Sequence, residues 1–181
     1  NISEVVDTAI TSISISFVAS TTIMLLSFVM VVVATYKSNT FQKSLIFLAS
    51  CGYAFPGTIL AVGVVVFVGW LNDIFYFHMS YFIGGFVVLI FAYTLRFLAI
   101  GNGSIRSGVT RINPNLIDAS RTMGRSFLTT MKKVILPLTY TNMLVGGILV
   151  FVDILKELPI TLLLRPFNFE TLATYVYQYA S

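Results

Sequence analysis

Residues 10–34 read ITSISISFVASTTIMLLSFVMVVVA, and no charged residue occurs between Asp7 and Lys37. The hydrocarbon core of a bilayer is about 30 Å thick, and an apolar helix of about 20 residues crosses it. The stretch lacks the regular alternation of apolar and polar residues that is typical of transmembrane strands. It therefore predicts a membrane-spanning helix.

The composition of the whole chain also indicates a membrane protein. Its 181 residues are 57% hydrophobic and 10% charged, whereas soluble domains are about 45–50% apolar and about 25% charged. A soluble domain of 20.0 kDa has too much surface to hide such an excess of apolar groups. This excludes a soluble enzyme, a disordered tail and a nucleic-acid-binding module, in spite of the net charge of +4. With one cysteine, Cys51, neither a disulfide framework nor a cysteine metal site is expected.

Three further stretches are long and apolar enough to span a bilayer. They cover about 45–71, 81–100 and 136–155. We therefore expect an all-α membrane protein, a polytopic helical bundle with four complete spans in the single domain 1–181. Pro56 and Gly57 lie inside the second span, where a proline frees a backbone carbonyl that must face protein or water. This span is expected to be kinked and to line a pathway.

The distribution of basic residues predicts the orientation. The first connection carries Lys37 and Lys43, and the region from Arg96 to Lys133 holds seven of the eleven basic residues. Loops on the cytoplasmic side of a membrane are enriched in Lys and Arg. We therefore place the connections 36–44 and 101–135 in the cytoplasm and both ends of the chain outside.

The connection 101–135 is far longer than most helix-to-helix links of about 2–8 residues, so we expect it to be structured and functional. Asn113 predicts a helix N-cap that is followed by Pro114 in the first turn. Gly124 predicts the end of this helix. Ser126 predicts the cap of a second helix that continues into the fourth span.

The first of these short helices has a modest apolar face. Leu116, Ala119, Ser120 and Met123 recur at helical spacing. Such a basic, amphipathic segment fits two interpretations equally well, a platform on which a cytoplasmic partner docks or a helix that lies on anionic lipid.

Residues 118–137, DASRTMGRSFLTTMKKVILP, resemble the EAA loop of binding-protein-dependent ABC importer permeases. The family pattern is Glu-Ala-Ala, three residues, Gly, nine residues, Ile, one residue and Leu-Pro. Every spacing is kept, with Asp118 in place of Glu, Ser120 in place of the second Ala and Val134 in place of Ile. The resemblance implies the type I (MetI-like) permease fold and a coupling helix that docks on a dimer of cytoplasmic ATPase subunits. The implied coupling residues are Asp118, Ala119, Ser120, Gly124, Leu136 and Pro137.

Residues 156–166, KELPITLLLRP, resemble a segment of ferric-iron importer permeases, and AFPG at 54–57 also fits that family. The resemblance implies transport of ferric iron from an external binding protein across the bacterial inner membrane. Thiamine, polyamine and phosphonate permeases are relatives, so the cargo stays open. Because two six-helix halves are commonly fused in this family, we expect the chain to be most of a second half, without its last helix, that works with a first permease half.

Several polar residues near the span ends are candidates for the pathway. They are Pro56, Gly57, Glu157, Pro159 and Thr161. Asp153, Lys156 and Glu157 share a helical face and are expected to pair with one another in the outer headgroup layer; the alternative is that Glu157 passes a cation inward. Arg96 is expected to reach the cytoplasmic surface, and His78 is expected to be a surface residue.

Aromatic residues cluster near the predicted outer boundaries, as in an interfacial anchoring belt. They are Trp70, Tyr76, Tyr81, Tyr175, Tyr177 and Tyr179. Because ferric iron prefers hard oxygen ligands, a tyrosine site is the alternative, and the metal ligands remain unknown.

No nucleotide-binding loop of the G-x-x-x-x-G-K-[ST] type is present, so ATP hydrolysis is expected on a partner subunit, with no enzymatic activity and no cofactor in this chain. The alternative function is a secondary transporter or channel driven by an ion gradient. Such proteins place ionisable residues at mid-membrane, and the centres of the predicted spans have none.

Overall fold

The computed structural model describes residues 2–36, 40–75 and 85–180, and within these ranges all regular secondary structure is helical. The α-helices are α1 (Ile2–Tyr36), α2 (Thr40–Cys51), α3 (Gly57–Phe75), α4 (Phe86–Val109), α5 (Pro114–Thr122), α6 (Phe127–Thr130), α7 (Leu136–Leu155), α8 (Pro159–Leu164) and α9 (Leu172–Ala180). A 3-10 turn at Gly52–Ala54 follows α2. A π-helical turn at Met131–Ile135 joins α6 to α7.

Four helices of the described chain are long and apolar enough to cross a membrane, which confirms the prediction of an all-α membrane protein with four spans. They are Ile2–Tyr36, Gly57–Ile74, Phe86–Val109 and Phe127–Leu155. The first and fourth extend beyond the predicted 10–34 and 136–155 because a helix can continue with polar residues outside the apolar layer. The predicted start of the third span at 81 lies outside the described residues, as do Lys37, Tyr76, His78 and Tyr81.

The second predicted span, 45–71, is divided into two helices. Phe55 has an extended backbone, with φ −83° and ψ 139°, and it separates α2 from α3. The cause is Pro56, since the residue before a proline is pushed out of the helical region. The carbonyl of Pro56 then accepts a hydrogen bond from the Leu60 amide at 3.1 Å. The expected kink is therefore a complete break.

The core of the bundle consists of α1, α4 and α7, which approach one another closely at small residues. A Cβ added at Gly101 would collide with the side chain of Ser27, and one at Gly146 would lie 2.6 Å from Cβ of Ser104. Membrane helices associate by close packing because lipid is as apolar as their side chains. These glycines therefore set the spacing of α4 from α1 and from α7.

The connection between the third and fourth spans is shorter than predicted. Because α4 continues to Val109 and α6 begins at Phe127, only 110–126 lies outside the two spanning helices, in place of 101–135. This connection carries α5.

The helix α9 is attached to the N-terminal half of α1. The amide of Leu172 donates a hydrogen bond to Ser12 Oγ at 2.7 Å.

Candidate functional site

The 110–126 connection is organised by two helix caps that the sequence predicts. The Asn113 side chain accepts a hydrogen bond from the Asn115 amide at 3.0 Å, and Pro114 occupies the first turn of α5. Ser126 Oγ accepts a hydrogen bond from the Thr129 amide at 3.3 Å at the start of α6. Both predicted caps are confirmed, and they fix where each short helix begins.

Gly124 forms the turn between α5 and α6 and has φ +76°. Residues with a Cβ rarely adopt this left-handed conformation. A Cβ at this position would meet no atom within 4 Å, so the need for glycine comes from the backbone conformation and not from crowding. The Gly124 amide donates to the Arg121 carbonyl at 2.9 Å, and the Arg125 amide donates to the Ser120 carbonyl at 3.2 Å. The predicted helix stop is confirmed.

The inner face of α5 contacts the rest of the bundle through Ile117 and Ser120. Ile117 belongs to the apolar core, and Ser120 is 3% exposed. The hydroxyls of Ser120 and Thr130 are hydrogen-bonded at 2.9 Å. Ser120 therefore lies inside the turn, on the same side of α5 as Ile117 three residues earlier, which corrects the expectation that it shares an apolar face with Ala119.

Part of the outer face of α5 is apolar and exposed. Leu116 is 50% exposed and Met123 is 70% exposed, and Ala119 lies between them on the same face. We call Leu116, Ala119 and Met123 the coupling stripe. Asp118 is also exposed. The stripe is presented by a helix whose opposite face is fixed to the bundle.

Leu136 and Pro137, the last two residues of the EAA-like motif, shape the helix that follows. Leu136 is partly buried against the core, and Pro137 is exposed. The Leu136 amide donates to the Met131 carbonyl, five residues earlier. A proline cannot donate a backbone hydrogen bond, and the wider π turn directly precedes it. These two residues are therefore structural parts of the junction between α6 and α7.

An ion pair joins the middle of α4 to the turn after α7. Arg96 Nε lies 3.3 Å from Glu157 Oε2, with 20% of the Arg96 side chain and 8% of the Glu157 side chain exposed. Arg96 also donates from a terminal nitrogen to the Phe55 carbonyl at 3.2 Å. The prediction that Arg96 reaches the cytoplasmic surface is wrong, because a charge within an apolar bundle is stabilised more by an opposite charge nearby.

The predicted self-paired cluster is confirmed for two of its members only. Lys156 Nζ and Asp153 Oδ1 form an ion pair at 2.8 Å. Glu157 lies apart from them because α7 ends at Leu155 and the backbone of Lys156, at φ −97° and ψ 2°, leaves the helical path. Burial raises the pKa of Glu157, and the positive charge of Arg96 opposes this effect.

Glu157 is held in place by the first turn of α8. Its Oε1 accepts a hydrogen bond from the Ile160 amide at 3.4 Å. The Thr161 hydroxyl donates to the Glu157 carbonyl at 2.6 Å and is also hydrogen-bonded to the Tyr93 hydroxyl at 2.6 Å. Pro159 occupies the first position of α8. An amide at this position has no partner within the helix, so a proline there loses no hydrogen bond.

Three of the five predicted pathway residues meet at this cluster. A Cβ at Gly57 would lie 2.7 Å from Glu157 Oε1 and 2.8 Å from a terminal nitrogen of Arg96, so Gly57 packs directly on the ion pair. Thr161 is the third, whereas Pro56 and Pro159 act through the backbone. Arg96, Phe55 and Tyr93 also belong to this cluster and were not predicted from the sequence. For Arg96 the signal was its charge, the only one between Asp73 and Arg106.

Part of the predicted aromatic belt lies in the described residues. Trp70, Tyr177 and Tyr179 are exposed, and the rings of Tyr175 and Tyr179 are 4.7 Å apart. Within the described ranges, no three His, Cys, Asp or Glu side chains are grouped so as to hold a metal ion.

The chain is similar to known membrane transport proteins. The sequence model of the family described as "Binding-protein-dependent transport system inner membrane component" matches residues 23–175. The "Fe(3+)-transport system permease protein FbpB 2" of Haemophilus influenzae is 25% identical over 130 residues, which cover 71% of this chain and 24% of that protein. The matched part is therefore about a quarter of the relative's length.

Proposed function

Because the chain belongs to the family of binding-protein-dependent transport system inner membrane components, we propose that it is one transmembrane half of an ABC importer. Its expected partners are a dimer of cytoplasmic ATPase subunits, an external binding protein and a second permease half, fused or separate, in the bacterial inner membrane. ATP hydrolysis takes place on the partner subunit. The observation that supports this proposal most strongly is the exposed coupling stripe on α5.

The coupling stripe has the features of a docking surface for a rigid partner. Leu116 and Met123 offer apolar side chains, and the small Ala119 between them allows a close approach. The inner face of the same helix is attached to α6 by the hydrogen bond between Ser120 and Thr130. A displacement of the docked ATPase is therefore passed to α4 and α7, whose alternative arrangements would open the pathway to either side.

Substitution of Gly124 tests the coupling function. Gly124→Val places a β-branched residue at φ +76°, which costs about 1–2 kcal/mol and distorts the turn between α5 and α6. We expect co-purification of the ATPase and ATP-driven uptake to fall while membrane insertion is unchanged. Unchanged ATPase binding and uptake would contradict the assignment.

The chain offers a matched control for this experiment. A Cβ at Gly103 also meets no atom within 4 Å, but Gly103 lies in α4 without a positive φ. Gly103→Val is therefore expected to retain ATPase binding. Gly124→Asn should recover much of the coupling, since asparagine tolerates the left-handed conformation better than other residues.

The location of the ion pair supports a proposal for which surface of the bundle faces the transport pathway. A charge that is partly exposed in a membrane bundle is costly against lipid, so its exposed part is expected to face water or another protein. The surface formed by Phe55, Arg96 and Glu157 is therefore proposed to face the pathway or the second permease half.

Ferric iron is the cargo that we propose. The 25% identity to a permease named for Fe(3+) transport and the KELPITLLLRP segment support it over thiamine, polyamines and phosphonates. The test is a reconstituted full complex in which binding proteins loaded with each of these four cargoes are compared for their stimulation of ATP hydrolysis. We expect stimulation by the Fe(III)-loaded protein, and stimulation by a non-metal cargo alone would overturn the assignment.

A further inference from the structure

Two oxygen atoms from distant parts of the chain face a single positive charge. The guanidinium of Arg96 lies within 3.3 Å of the Glu157 carboxylate and 3.2 Å of the Phe55 carbonyl. The carbonyl is free to accept this bond because the break before Pro56 removes it from any helix. Arg96 thus occupies a position that is lined by oxygen and suited to a cation.

The guanidinium of Arg96 leaves part of its hydrogen-bonding capacity unused in this position. Arg96 Nε is buried and makes no hydrogen bond of proper geometry, although it is at ion-pair distance from Glu157 Oε2. A well-fitted pair of arginine and carboxylate has two parallel hydrogen bonds. The other carboxylate oxygen accepts only a long bond, 3.4 Å, from the Ile160 amide. Both carboxylate oxygens therefore keep capacity for another cation.

The oxygens are also of the right kind and number for a transient site. Carboxylate and carbonyl oxygens are preferred ligands of hard multivalent cations. A site in a transport route must bind its ion weakly enough to release it, and one carboxylate with one carbonyl, completed by water, satisfies this condition. Since 20% of the Arg96 side chain is exposed, it has a way out of the position that it fills.

We propose that Glu157 and the Phe55 carbonyl form an exchangeable site for a hard multivalent cation, in which Arg96 is the resident cation that the transported ion displaces. The proposal rests on the proposed function, because it assigns this cluster to the import pathway. Arg96 then also acts in specificity, since a weakly bound monovalent ion does not displace a tethered guanidinium.

The test is a titration of the purified full complex with Tb(III), a hard trivalent probe, followed by its luminescence. Arg96→Gln removes the resident cation, and we expect Tb(III) to bind about tenfold more tightly. Glu157→Gln should abolish this site. Asp153→Asn is the matched control, because Asp153 is a nearby carboxylate paired with Lys156, and it should leave the binding at the Glu157 site unchanged.

A purely structural ion pair predicts a different pattern. In that case Arg96→Gln and Glu157→Gln both lower the thermal unfolding temperature and neither changes Tb(III) affinity, which would overturn the proposal. If Arg96→Gln does not fold, Arg96→Lys keeps the charge but offers a single ammonium group, and it should bind Tb(III) more tightly than the parent. Equal affinity of Arg96→Lys and the parent would also overturn the proposal.

The failure of this proposal is distinguishable from the failure of the proposed function. Tb(III) titration needs neither ATP nor a binding protein, whereas stimulation of ATP hydrolysis needs both. A complex stimulated by the Fe(III)-loaded binding protein, but with equal Tb(III) affinity in all variants, has the function and lacks the site. A complex without that stimulation, but with the expected order of affinities, has the site and a different cargo.

Discussion

Gly57 is a residue at which one added methyl group disturbs the ion pair between Arg96 and Glu157. Its added Cβ would lie 2.7 Å from Glu157 Oε1 and 2.8 Å from Arg96, closer than side-chain carbons pack. The ends of both charged side chains must therefore shift to admit the Cβ of Gly57→Ala, which separates the ion pair. We expect a lower thermal unfolding temperature and slower uptake.

Gly63 in the same helix provides the control for that substitution. A Cβ at Gly63 meets no atom within 4 Å, and alanine is favoured over glycine in a helix by about 1 kcal/mol. Gly63→Ala should therefore leave the unfolding temperature unchanged or raise it. Equal effects of the two substitutions would show that Gly57 does not pack on the ion pair.

Ser120 and Thr130 form a buried pair that is testable by single and double substitution. Ser120→Ala leaves the Thr130 hydroxyl without its partner, and an unsatisfied buried hydroxyl costs about 1–3 kcal/mol. Ser120→Ala with Thr130→Val removes both polar groups and should recover part of this loss. The measurements are thermal unfolding and co-purification of the ATPase, with Thr122→Ala as the control for an exposed residue of the same helix. A double variant as unstable as the sum of the two single variants would refute the pairing.

At the scale of elements, the parts that were predictable from the sequence depend on local interactions. The caps at Asn113 and Ser126 and the stop at Gly124 involve partners within a few residues, so short patterns are sufficient. The break before Pro56 was predicted only as a kink, because the sequence does not show whether a proline interrupts a helix or ends it.

The contacts between distant elements were not predictable in this way. Arg96 lies 41 residues from Phe55 in sequence and is still further from Glu157, and their pairing depends on how α4 packs beside the break. The inward position of Ser120 was not predictable for the same reason. The spacing of residues identifies the faces of α5 but does not tell which face contacts the bundle. In the candidate site, Gly57, Glu157 and Thr161 were predictable from the sequence, whereas Arg96 was expected at the cytoplasmic surface and instead pairs with Glu157.

At the scale of the whole molecule, the two charges of the ion pair are connected to α5 through two different helices. Arg96 lies on α4, which is continuous from Phe86 to Val109. Glu157 follows α7, which is joined to α6 through the π turn at Met131–Ile135. A movement of α5 therefore reaches Arg96 through one continuous helix and Glu157 through a helix that follows a π turn. Relative displacement of α4 and α7 would separate the pair and expose its oxygens.

A disulfide between α4 and α7 tests whether this relative movement is needed. A Cβ at Gly108 would lie 3.0 Å from Cβ of Asn142, shorter than the separation of about 3.5–4.5 Å found in disulfides, so the two helices must move slightly apart to form the bond. In a Cys51→Ser background, Gly108→Cys with Asn142→Cys should stop uptake under oxidising conditions and restore it on reduction, while the ATPase stays bound. Each single cysteine variant, treated with the same oxidant, is the control. Full uptake by the oxidised double variant would show that α4 and α7 move together, and the ion pair would then have to open by rotation of the Arg96 side chain alone.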